Sequence, residues 1–398
     1  MMVTWMKIHI DLEGFNADNE KFFCEMLPYV STHIKRIEKT EEGVYAVVED
    51  EYKSEVYEKC SSLKGMISGG KLGNKEIPIK TIMDNSSVEV LNHDPVFFRL
   101  IETESVMELS DGVYAYSGIF LKIMRYFDKK IAEFGFDEFK GMVEHEYPVL
   151  YPIDKYEKGK YFETFPHYIM FQTIMNNDLD VLNRFALNGT KDPKIFEEMK
   201  MPRNVLRNAA CVPVYELLTD KVIEPEKPKL FMVKGKCFRN ESDNVFELAR
   251  LNEFTMKEYV FVGTPEQCAD GIERSKKLWR FWSEVFKLNC KLDTANDSFF
   301  ASNYQKLKLF QILGDSKQEY KWYVPFSESY IACSSANFHR THFTKPYNIK
   351  NNEGTYCHSA CFAFGIERMV YALLNQKGID PEKWDKETYN EISSYVEL

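Results

Sequence analysis

Apolar residues alternate at Ile8, Ile10 and Leu12, the period of a strand over 7–13. A helical pattern follows over 18–30. Strands are predicted over 33–39 and 43–49 around a Glu41-Glu42-Gly43 turn, then a helix over 51–63 and a strand over 77–82. This β-α-β-β-α-β order is that of a ferredoxin-like unit, so residues 1–85 are read as a separate N-terminal α+β module. The polar run DNSSVEVLNHDP over 84–95 reads as its linker to a second domain, 95–398.

In the second domain the pattern predicts a helix over 119–134 and an extended stretch over 142–151, punctuated by Pro148 and Pro152. Strands are predicted over 229–241 and 251–263. Thr264 then opens a helix, with Gln267 placed to complete a capping box. Further strands are predicted over 305–313 and 319–339, and a helix over 365–374. Strands in series, without strict alternation with helices, indicate an α+β fold with an antiparallel sheet. Composition narrows the class: 44% apolar and 28% charged residues exclude a disordered, collagen-like or coiled-coil chain. The charge-free run over 164–177 is shorter than the ~20 residues of a membrane helix, so no membrane partner is expected. The start, MMVTWMKIHIDLEG, has acids where a signal peptide is apolar, and the nine cysteines form no dense framework. A reduced, cytoplasmic protein is expected. The 51 basic and 61 acidic residues leave a net −10, which argues against a surface dedicated to nucleic acid.

The first chemical signal is CFRNE over 237–241. On a strand Arg239 and Glu241 share a face. The arginine can fork onto a phosphate, and the glutamate can accept from an adenine amino group. Taken alone, the pair is more often an ordinary strand salt bridge. It is followed by ARLNEFTMKE over 249–258 and by AFGIER over 363–368. Together these resemble motifs 2 and 3 of class II aminoacyl-tRNA synthetases. The resemblance implies that fold: an antiparallel sheet with flanking helices. It implies that Arg239 grips the α-phosphate of ATP, Glu241 meets the adenine, Phe254 stacks beneath it and Arg368 holds the γ-phosphate. It also places Glu328, in PFSE over 325–328, as a Mg2+-binding acid, and makes the stretch 119–152 a motif 1-like homodimer interface. One departure is Ala363, where the motif usually opens on glycine.

The segments ACVPVY, CFRNE, ANDSFF and HSACFAFGIER are similar to the amino acid:[carrier protein] ligases, truncated relatives of methanogen-type seryl-tRNA synthetases. The similarity covers about 95–375. It implies a zinc ion on Cys211, Glu258 and Cys361, which sequence spacing alone does not single out. The rivals Cys357, His358 and Cys333 remain; Cys357 and Cys361 on one straight strand lie about 13 Å apart, too far for one zinc. Cys237, two residues from Arg239, is read as lining the ATP pocket. Two thiolates and a carboxylate around zinc sum to −1, so the open position favours a neutral amine, which selects an amino acid.

The implied reaction is activation of a small amino acid as its adenylate, followed by transfer to the phosphopantetheine thiol of an acidic carrier protein. Arg274, Lys276, Lys277 and Arg280 form a +4 cluster on the helix after motif 2 and are read as the docking site. A solvated charged face accounts for the same four residues equally well. The N-terminal module carries 11 basic and 15 acidic residues, so no tRNA is expected there. The alternatives are an atypical seryl-type tRNA synthetase and a non-catalytic paralogue.

Overall fold

The computed structural model describes residues 4–68, 79–295 and 316–398. Its centre is an eight-stranded sheet in the order Thr81–Asp84, Cys290–Thr294, Lys317–Val324, Ser329–Arg340, His358–Gly365, Glu253–Gly263, Lys229–Phe238, Val143–Glu146. Every neighbouring pair is antiparallel except the last, where Phe231 aligns with Val143 in parallel. The predicted strand over 305–313 lies outside the described residues.

Residues on successive positions of these strands point to opposite faces, and the sequence uses both. Tyr259, Phe261, Phe362 and Phe364 face the helices Gly118–Glu138, Pro265–Val285 and Ile366–Lys377, where Trp279 and Trp282 complete the main core. Val260, Val262 and Cys361 face the other way, into a second core with Tyr215 and Tyr347. The helix Gly118–Glu138 sits close to the sheet because Gly135 has no side chain. A Cβ there would lie 2.7 Å from Tyr259 Cε1, and the Tyr259 hydroxyl donates to the carbonyl of Ile131. The capping box on Pro265–Val285 forms as the sequence predicts, with Thr264 N donating to Gln267 Oε1 at 2.9 Å.

The N-terminal module departs from its predicted order. Gly43–Glu49 lies between Trp5–Ile10 and Ile34–Thr40 in a three-stranded sheet, covered by the helices Ala17–Met26 and Lys53–Ser68. The described part of the strand expected over 77–82 does not join it. Its described counterpart, Thr81–Asp84, adds to the edge of the large sheet instead. There Lys80 N donates to Thr294 Oγ1 at 2.9 Å and Thr81 Oγ1 to Asp293 Oδ1 at 2.8 Å. Met83 packs on the main core while Ile79 and Ile82 are exposed, so apolar alternation does not decide the pairing. Nor is 84–95 a loose linker: Leu91 N and Asn92 N both donate to Gln376 O. Two further differences follow from turns. The stretch over 142–151 divides into Val143–Glu146 and Leu150–Pro152, which belong to different sheets, and the stretch over 319–339 is two strands of a hairpin.

Candidate active site

On the face of the sheet opposite the three helices lies a cavity of about 220 Å³. Phe254, Met256 and Glu258 line it from one strand and Cys361, Ala363 and Gly365 from its neighbour, each set at the period of two. Arg239, Glu241, Arg368 and Cys211 reach the same space.

At one end the wall carries two arginines, Arg239 and Arg368, with Glu241 and Glu367 beside them. The Arg239 guanidinium lies 5.1 Å from the centre of the Phe254 ring and 5.6 Å from that of Tyr168, a cation–π arrangement. Its Nε donates to Asn208 O at 3.3 Å. Arg368 donates from Nη1 to Ala332 O at 3.2 Å. Burial lowers the Arg368 pKa, and Arg239 and Arg250 press the same way against the opposing effect of Glu241. Glu241, 3% exposed, accepts from Arg250 Nε at 2.7 Å. Arg250 is held between Glu241 and Glu25, so the groups on the wall that can meet an incoming anion are the Arg239 and Arg368 guanidiniums.

At the other end Cys211, Glu258 and Cys361 are all buried, and their ligand atoms lie within 4.8 Å of one another. Among the described residues this is the one such group of three. The sheet register brings two of them together: Glu258 pairs with Ala363, so Cys361 is its diagonal neighbour on the same face. Glu258 Oε1 also accepts from Ala210 N at 2.8 Å and Cys211 N at 3.0 Å, which draws the third ligand in from the loop before Val212–Leu217. Among the described residues no lysine or arginine forms an ion pair with Glu258. The Cys211 thiol is pushed well up, by its contact with Cys361, by burial and by the Glu258 charge. These donors fit a divalent cation: tetrahedral zinc with Zn–S near 2.3 Å sets sulfur atoms about 3.8 Å apart.

Other expected residues lie elsewhere. Glu328 sits at the tip of the hairpin between Lys317–Val324 and Ser329–Arg340, exposed and outside the cavity wall. The local PFSE sequence forms the turn itself, whereas Glu319, 3.2 Å from Lys317, is one of the acids on the wall. Cys237 is fully buried in the second core and does not line the cavity. The strand ends at Phe238, so the two-residue period does not carry on to Arg239. The basic cluster is largely neutralised. Arg274 Nε and Lys277 Nζ lie 2.8 and 2.7 Å from Glu138 Oε1, while Lys276 is buried and pairs with Glu273. Arg280 is exposed. The sequence reading missed Glu319, Asn337, His339 and Glu367. Ala332 to Ser335 line the cavity consecutively, and Asn337 and His339 continue from Ser335 at the period of two, a polar alternation over 335–339 that was available as a signal. Glu367 accepts from Thr255 N at 2.7 Å and Thr255 Oγ1 at 2.8 Å, tying the helix of Arg368 to the strand of Phe254.

His167, 8% exposed, lies behind Tyr168. Burial, then the charges of Arg250 and Arg239, lower its pKa from 6.5 to about 4. Between these values the unfolded chain binds the proton and the folded one does not. The stability due to neutral His167 is therefore present above pH 6.5 and is lost as pH falls toward 4. Thermal unfolding at pH 7.5 and pH 5 should show this fall, and His167→Phe should flatten it.

Residues 196–377 match the family described as the tRNA synthetase class II core domain (G, H, P, S and T). Amino acid–[acyl-carrier-protein] ligase 1 of Bradyrhizobium diazoefficiens is 28% identical over 275 residues, 69% of this chain and 83% of that protein. The type-2 serine–tRNA ligase of Methanopyrus kandleri is 27% identical over 255 residues, 60% of this chain and 48% of that protein. The chain thus spans about half the length of that relative. In solved structures, M. kandleri SerRS in complex with A. aeolicus tRNASec superposes with a TM-score of 0.71 at 20% identity, covering 98% of this chain and 77% of that one.

Proposed function

We propose that this chain, which has a class II aminoacyl-tRNA synthetase core and is homologous to both groups of ligases, is an ATP-dependent amino acid:[carrier protein] ligase. It activates a small amino acid as the aminoacyl adenylate and transfers the acyl group to the phosphopantetheine thiol of a carrier protein. The observation that carries this reading is the sharing of one cavity by Arg239, Arg368 and the Cys211–Glu258–Cys361 trio. Zinc held by the trio would offer its open position to the neutral α-amine of the substrate. Arg239 then holds the α-phosphate of ATP beside the substrate carboxylate, and Arg368 holds the γ-phosphate. A carboxylate oxygen attacks the α-phosphorus as the bond to pyrophosphate breaks; the carrier thiolate later attacks the acyl carbon and releases AMP. No side chain acts as nucleophile, so catalysis rests on positioning and charge stabilisation. The rings of Tyr161 and Phe343, 6.1 Å apart, border the trio and limit the substrate side chain.

Charging of tRNA is the second reading, favoured by the likeness to M. kandleri SerRS over 98% of the chain, N-terminal module included. The net negative charge of the module weighs against it. Pyrophosphate exchange across a panel of amino acids tests activation. Adding carrier protein or tRNA to the same mixture decides the acceptor, and efficient tRNA charging would overturn the proposal.

Docking of an acidic carrier on the helix Pro265–Val285 now centres on Arg280, since Lys277 already holds Glu138. Arg280→Glu should slow transfer by about two- to fivefold at low salt, in the range of one exposed ion pair. The effect should shrink at high salt, with pyrophosphate exchange unchanged. The proposal also includes a homodimer through 119–152. Val143–Glu146 is the last strand of the sheet, and Val143 is exposed. Light scattering at micromolar concentration should return twice the chain mass.

A further inference from the structure

The N-terminal module touches the catalytic layer at the segment that joins the two strands of the Arg239–Phe254 hairpin. Tyr29 Oη donates to Asn240 O at 2.7 Å. Asn244 Nδ2 donates to Glu25 O at 2.9 Å. Arg250 Nη1 lies 3.6 Å from Glu25 Oε1, while Arg250 Nε donates to Glu241 Oε2 at 2.7 Å. A line of charge therefore runs from Glu25 in the module, through Arg250, to Glu241 on the cavity wall.

This segment needs support from outside itself. Ser242 and Glu247 take φ of 47° and 41°, left-handed backbone that non-glycine residues adopt at a cost. The catalytic layer holds it at Glu247, through the Tyr371 hydroxyl, and at Asn240 N, through Tyr168 O; the module adds a partner at Asn240 O, Asn244 and Arg250. Arg250 sits between two carboxylates. Without Glu25 its guanidinium has one fixed partner and can turn, and Glu241 turns with it. Glu241 N is already held by Asn252 Oδ1 at 2.8 Å, so its carboxylate direction is the variable that the module controls.

We propose that Glu25 and Tyr29 are positioning residues for nucleotide recognition. The module acts within its own chain as a brace that fixes the Arg250–Glu241 pair, and so sets how well the site accepts the 6-amino group of adenine. This rests on the reading of Glu241 as the adenine acceptor.

The test is equilibrium binding of ATP and of purine riboside triphosphate, which lacks the 6-amino group, to the full chain and to Tyr29→Phe, Glu25→Gln and the double variant. The wild type should prefer ATP by about tenfold, the scale of one hydrogen bond to a charged acceptor. The variants should lose most of that preference through weaker ATP binding. Their affinity for purine riboside triphosphate and their melting temperature should stay at the wild-type values. Both substitutions are near-isosteric, and the melting temperature reports any general loss of fold. Unchanged preference in the double variant, or equal loss for both nucleotides, would overturn the brace. A wild type that does not distinguish the two nucleotides would instead overturn the Glu241 reading, and the brace with it.

Discussion

Arg239→Ala should lower amino-acid-dependent pyrophosphate exchange by at least about 10²–10³-fold, the cost of removing one fixed donor from a developing charge. Two observations make the effect large. The guanidinium is held in place before substrate arrives, 5.1 Å from the Phe254 ring centre and bonded to Asn208 O. It is also partly buried, where charges are screened less than in bulk water. Arg239→Lys should recover only part of the loss, since an ammonium group cannot fork across two phosphate oxygens. Near-normal exchange by the alanine variant would remove the phosphate role from this residue.

The second large effect concerns the trio. Purified protein should carry one zinc per chain by elemental analysis. Cys361→Ala should reduce that to near zero and abolish amino-acid activation. ATP binding should remain within about twofold of wild type, because Arg239, Phe254 and Arg368 hold no trio ligand. Cys361→Ser keeps the volume and guards against a misfolded alanine variant. Cys361 faces only about 4% of its surface to solvent, so a small cavity alone costs stability without removing metal. Full metal content in both variants would sink the assignment.

The legible parts of this chain are local. The helix Pro265–Val285 is announced by Thr264, Pro265 and Gln267 within four residues. The strand Glu253–Gly263 shows its two faces in its alternation, and the same alternation puts Phe254 and Glu258 on one side. The motif resemblance then supplies the relation between segments that periodicity lacks. The misses are relational. Thr81–Asp84 has neighbours more than 200 residues later, and no pattern over 77–82 distinguishes the module edge from the sheet edge. Glu328 is a plausible acid by its motif, yet four consecutive residues that make a hairpin turn hold it away from the cavity. The +4 cluster counts only its own helix, whereas Glu138 arrives from the helix Gly118–Glu138 and cancels much of it. The trio is the clearest case. Its members are 47 and 103 residues apart, and only the register of two strands and the two amide donors at Ala210 and Cys211 bring them together.

The order of the large sheet sets a timetable for its assembly. Both edge strands, Thr81–Asp84 and Val143–Glu146, precede in the chain every strand that lies between them. As the chain leaves the ribosome, neither edge has a partner until the strands from Lys229 onward follow, and the first waits for Cys290–Thr294. At ~5–20 residues per second that interval is roughly 10–40 s. The N-terminal module, with its own core, can fold during this time; the catalytic sheet cannot close. Each edge strand is only four residues long, too short to template pairing with another nascent chain. Brevity at the two edges is what makes so late a closure safe.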